Sequence, residues 1–129
     1  MNLILPIDNC AQNMQFIQDK VSESISQEPN HLMEYLQECS SLLGTSAQTV
    51  ASLQHHMNTE KLFAVEQAKR EKYSGNLAKA FIEGRTAEIG ALLKLSERQN
   101  AALTHRIDAI RSILSFTKEE LFNANRQVA

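Results

Sequence analysis

The sequence predicts an all-α protein: a long antiparallel helical hairpin with a coiled-coil seam, preceded by two shorter helices, and oligomeric. Three observations predict it. Only four Gly and two Pro interrupt 129 residues, and so few breakers favour long helices. Apolar residues recur at spacings of three and four, the helical period. The last third carries that spacing as an unbroken seam: Ile89, Leu93, Ser96, Asn100, Leu103, Ile107, Ile110, Leu114, Thr117 and Leu121.

Four helices are expected within one domain spanning residues 1–129. The first covers residues 9–28. Cys10, Met14, Ile17, Val21 and Ile25 share a face, Asn9 suits the N-cap with Gln12 in a capping-box position, and Pro29 ends it. The second covers 30–43 through Leu32, Leu36, Cys39 and Leu43, with Gly44 past its end. Continuation straight through Gly44 is the alternative.

The third helix is expected over 46–83, with Val50, Leu53, Met57, Phe63, Leu77 and Phe81 on its apolar side and a bend at Ser74-Gly75. Gly84-Arg85-Thr86 reads as the reversal, Gly84 ending one helix and Thr86 capping the next. The fourth helix covers 86–123. Two rods of roughly 38 residues reach about 57 Å each at 1.5 Å per residue. A shorter pair of helices leaves much of the seam uncovered, which predicts a second copy over Leu93, Asn100, Leu103, Ile107, Ile110, Leu114 and Leu121.

The formal net charge of −2 hides a split. Residues 1–60 hold one cation, Lys20, and seven carboxylates; residues 61–129 hold twelve cations and eight carboxylates. Such a split points to two partners, or to one half neutralising the other within an oligomer. On a helical projection Lys61, Lys72 and Lys79 fall within about 20° of each other, opposite Phe63, Leu77 and Phe81. Lys69, Arg70 and Arg85 widen the basic patch. Lysines so spaced can bridge successive phosphates, the sequence-independent part of nucleic-acid affinity. The plainer alternative is a solvated helix face, with Glu66 and Arg70 an i,i+4 pair.

Catalysis finds no footing. Neither a glycine-rich phosphate loop, a nucleophile elbow nor an HExxH is present. His56 and Glu60 lie one turn apart, but no third metal ligand has matching spacing. No enzyme, metal or cofactor is expected. Cys10 and Cys39 stand far apart, outside any CxxC, and suit reduced cysteines of a cytoplasmic protein. No apolar run reaches the roughly 18–20 residues of a membrane span.

A polar first segment, a helix reaching AKREKYSG, a Gly-Arg-Thr, and a final amphipathic RIDAIRSILSFTKEEL follow one another. That order resembles the small all-helical phage proteins found among recombination functions, in particular the mediators that load a strand-exchange recombinase onto single-stranded DNA. The resemblance covers roughly residues 34–121, with Tyr73-Ser74-Gly75 the most distinctive match. It implies a non-enzymatic, often ring-like oligomer in the host cytoplasm. Such a protein binds single-stranded DNA and contacts the recombinase and the single-strand-binding protein. Carried over by position, Lys61, Lys69, Arg70, Lys72 and Lys79 would face the DNA. A protein-binding adaptor, chaperone or phage inhibitor is the alternative, acting through the acidic N-terminal helices or the apolar seam. A structural coiled-coil component is a third.

Overall fold

The computed structural model describes residues 3–128, and among them every regular element is a helix. There are three: α1 Ile7–Val21, α2 Pro29–Arg70 and α3 Gly75–Val128. No helix among the described residues is long and apolar enough to cross a membrane.

α1 starts two residues before its expected N-cap. Pro6 precedes it, and the Pro6 carbonyl accepts from Cys10 N–H at 3.0 Å. It also ends well short of residue 28. Its C-cap is Ser22, whose hydroxyl bonds the Gln18 carbonyl at 2.7 Å. Serines compete for backbone groups in this way, and Ser24 and Ser26 follow in the connector. Pro29 is therefore not a terminator. It occupies the first turn of α2, where its missing N–H costs nothing. Glu28 is the N-cap, its carboxylate accepting from His31 N–H at 2.9 Å, a bond that holds the Glu28 carboxyl below its ordinary range.

The expected second and third helices are one helix of 42 residues, about 63 Å long. Gly44 lies within it. Glycine costs a helix about 1 kcal/mol, and the side chains flanking Gly44 outweigh that: Leu42 and Leu43 pack on the core, and Ser46 and Thr49 are fully buried. Gly84-Arg85-Thr86 is likewise not a reversal. α3 runs unbroken through it, and Thr86 bonds the Ile82 carbonyl of its own helix at 2.9 Å instead of capping a new one. The chain reverses at residues 71–74.

α2 and α3 run antiparallel. Ser46 meets Asn100, Met57 meets Gly90, and Glu60 and Gln67 meet Arg85. α1 lies against both. One core cluster joins Ile17 to Leu32, Tyr35 and Cys39 of α2 and Leu103, Ile107 and Ile110 of α3. The other joins Cys10 and Met14 to Leu53, Ile89 and Leu93. Between them lies a polar layer. Asn100 Nδ2 donates to Ser46 Oγ at 3.1 Å, Asn13 Nδ2 to Thr49 Oγ1 at 3.3 Å, and Gln99 Nε2 to the Met14 carbonyl at 3.0 Å.

The seam is thus covered within the chain over most of its length. Leu93, Leu103, Ile107 and Ile110 are buried against α1 and α2. Asn100 and Leu114 are half-buried, and Leu121 is 61% exposed on the part of α3 that runs past the start of α2. The N-terminal residues form a strap along α2. Gln48 Nε2 donates to the Leu3 carbonyl, Leu5 N–H donates to Ser52 Oγ, and His56 Nε2 bonds the Leu5 carbonyl.

Four titratable groups of this body keep their protons more tightly folded than unfolded. Lys20 is raised chiefly by its hydrogen bond to Glu38; Tyr35, Cys10 and Cys39 are raised by burial. The folded state then binds more protons than the unfolded one, so stability falls as pH rises. The fall begins near the ordinary thiol value of about 8.5 and continues through the lysine and tyrosine range near 10. Urea midpoints measured from pH 7 to 10.5 should drop over this interval. Cys10 and Cys39, both free and buried, should react with a thiol reagent at pH 8 far more slowly than in the unfolded chain.

Candidate nucleic-acid interface

Beyond the reach of α1, α2 and α3 continue as a two-helix arm whose own contact is made by small residues. Ala64 and Ala68 are buried on α2 and Thr86 on α3. Alanines bring the helices close and leave no room between them for large rings. Phe63 and Leu77, expected to face inward, are therefore 55% and 53% exposed, as is Leu62 at 58%. Phe81 is half-buried, its ring edge-to-face with Tyr73 at 5.4 Å.

The turn at the tip has a defined construction. Tyr73 N–H donates to the Ala68 carbonyl at 3.1 Å and Lys72 N–H to the Lys69 carbonyl at 3.2 Å. Those two bonds are the Schellman pattern that closes a helix. Its left-handed position is filled by Lys72, with φ of 57°, the one non-glycine residue with positive φ among the described residues. Glycine is the usual occupant; a side chain there costs about 1–2 kcal/mol. Ser74 then caps α3, its hydroxyl accepting from Leu77 N–H at 3.3 Å.

The basic residues run along the arm to this tip and do not form one helical stripe. Lys61, Lys69 and Arg70 are on α2, Lys72 is in the turn, and Lys79 and Arg85 are on α3. The shared projection assumed a single helix and does not apply. All six are exposed. Arg85 is engaged: it pairs with Glu60 at 3.1 Å and donates to Gln67 Oε1 at 3.1 Å. Lys61, Lys69, Arg70, Lys72 and Lys79 have no ion-pair partner among the described residues. Lys69 and Lys72 come together on an open groove of about 470 Å³, floored by Val65, Ala68, Ala78 and Ile82 and bounded by Tyr73.

Sequence reasoning found the cations and named Tyr73 only within the Tyr73-Ser74-Gly75 match. The signal was its position directly after Lys72, where a hydrophobic residue commonly packs back on a helix end. Neither candidate metal ligand is idle. His56 holds the Leu5 carbonyl and Glu60 holds Arg85, and no group of three or more His, Cys, Asp or Glu among the described residues is placed to bind a metal. Comparison of the chain with protein-family models, curated proteins and solved structures finds no match.

Proposed function

We propose that this chain is a non-enzymatic accessory protein of phage-type DNA recombination, which holds single-stranded DNA on its basic arm and works beside a recombinase in the host cytoplasm. One observation carries the reading: four exposed cations without ion-pair partners among the described residues, Lys69, Arg70, Lys72 and Lys79, surround the tip, and a fifth, Lys61, lies about 12 Å back along α2. From Met57, the last α2 residue packed on the core clusters, to Lys69 is about 18 Å of helix. That is roughly twice the Debye length at physiological salt, so the carboxylates around α1 screen the tip little. Within the arm, Glu60 is neutralised by Arg85, leaving Glu66, Glu71, Glu83 and Glu88 against the five.

Self-assembly belongs to the same proposal. Most of the expected oligomer interface is occupied inside the chain, so a second copy would use Phe116, Leu121 and Phe122 on the far end of α3, all exposed. A protein-binding adaptor is the second reading. Leu62, Phe63 and Leu77, exposed at the same arm, favour it.

The test is retention of a labelled single strand on a filter in about 50 mM salt. Five phosphate contacts at a slope of about −0.7 each imply that affinity falls roughly 100-fold between 50 and 200 mM salt. The triple variant Lys69→Glu, Lys72→Glu, Lys79→Glu should lose retention and keep its helical circular dichroism, because these side chains face water. No retention of the parent chain, or retention that ignores salt, sinks the reading and moves the adaptor to first place.

A further inference from the structure

We infer that the groove at the tip is a nucleobase site: one unpaired base stacks on the Tyr73 ring while Lys69 and Lys72 hold the phosphates on either side of it. The inference rests on the single-strand reading above and adds a specific ligand group to it.

Three features converge there. The groove has an apolar floor and a cationic rim, since Val65, Ala68, Ala78 and Ile82 lie beneath Lys69 and Lys72. A single strand has the matching construction, with a flat apolar base between two anionic linkages. The volume of about 470 Å³ is within the usual range of small-ligand sites, about 300–1,000 Å³. Tyr73 is fixed for the purpose. Its N–H is tied to the Ala68 carbonyl, its ring is braced edge-on by Phe81, and its hydroxyl has no partner among the described residues.

The third feature is the strain at Lys72. A lysine stands where glycine would close the helix at no cost. Strain of this kind persists where the side chain is wanted at that point. Lys72 is also the residue whose left-handed backbone separates Lys69 from Tyr73, so the three rim positions depend on one turn.

The experiment compares two strands of equal length and charge in about 50 mM salt: oligo-dT and an abasic deoxyribose-phosphate strand. Base–aromatic stacking implies that the full chain prefers oligo-dT by about 5- to 150-fold. The chain has two tyrosines and no tryptophan, so in Tyr35→Phe the emission is that of Tyr73, and oligo-dT but not the abasic strand should quench it. Tyr73→Leu keeps apolar bulk against Phe81 and should remove the preference while leaving abasic binding in place. Lys72→Gly should raise the thermal midpoint by a few degrees and yet weaken both strands several-fold. Equal affinity for the two strands overturns the base site and leaves phosphate holding intact. Failure of both strands to bind overturns the single-strand reading itself. If an acidic phenylalanine-containing peptide binds and oligo-dT does not, the groove is assigned to a protein instead.

Discussion

Ile110→Asp should unfold the chain at room temperature. Ile110 has no exposed surface and sits in the cluster of Ile17, Leu32, Tyr35, Cys39, Leu103 and Ile107, where all three helices meet. The substitution removes a packed branched side chain, which costs about 2–5 kcal/mol as a cavity. It also puts a carboxylate among apolar side chains, and its desolvation adds several kcal/mol more. A domain of this size has about 5–15 kcal/mol in total, so the two terms together consume most or all of it. Ile110→Ala should leave a folded chain weakened by the first term alone. Leu121→Asp lies eleven residues further along the same seam, at a position 61% exposed, and at concentrations where the chain is monomeric should change stability by less than about 0.5 kcal/mol. Circular dichroism of the three variants against temperature decides the matter. A folded Ile110→Asp, or an equal collapse of Leu121→Asp, would show that the seam is not covered within the chain as described.

Tyr35→Ala should cost about 3–5 kcal/mol, the usual range for losing a buried aromatic side chain, and should release α1. Tyr35 is the point at which the end of α1 is fastened. Its hydroxyl donates to the Lys20 carbonyl, and Arg106 Nη1 donates both to that hydroxyl at 3.2 Å and to the Glu23 carbonyl at 2.7 Å. The Lys20 ammonium and the Arg106 guanidinium lie 5.4 and 5.9 Å from the ring centroid, each close enough for a cation–π contact. Lys20 is further tied to Glu38 and Glu23. Tyr35→Phe keeps the ring and loses the hydroxyl, at about 1 kcal/mol. Urea unfolding gives the two costs. Hydrogen exchange of the α1 amides locates the loss: in Tyr35→Ala they should exchange faster than those of the α2–α3 pair. Uniform exchange across all helices would mean that α1 has no separate fastening.

The helical periods were legible because burial acts on each helix face locally. Cys10, Met14 and Ile17, then Leu32 and Cys39, then Ile89, Leu93, Leu103, Ile107 and Ile110 are all buried where their spacing placed them. Tyr35 was legible in principle, three residues after Leu32 and four before Cys39, and its polar tip concealed its role. The basic residues were legible as a set, because an exposed lysine needs no partner to be recognised. Their grouping was not, because it depends on where the chain reverses.

The sequence by itself determined the helical class, the apolar faces of the three-helix body and the concentration of positive charge in the second half. Each follows from period, composition or propensity, properties that a segment carries wherever it lies. The breaks between helices were decided by tertiary structure. Gly44 and Gly84 stay helical because the residues around them are held against a neighbouring helix, and that packing exceeds the roughly 1 kcal/mol that glycine costs. The true reversal falls at Glu71-Lys72-Tyr73-Ser74, beside the Ser74-Gly75 that the sequence marks only as a bend, and Lys72 takes a left-handed conformation unfavourable to it. Local preference differs by about 1 kcal/mol between these sites, whereas the register that brings Leu53 into one cluster with Ile89 and Leu93, and Cys39 into the other with Leu103 and Ile107, is worth several buried side chains. The larger energy set the turn, and with the turn it set Lys69, Lys72 and Tyr73 around one groove.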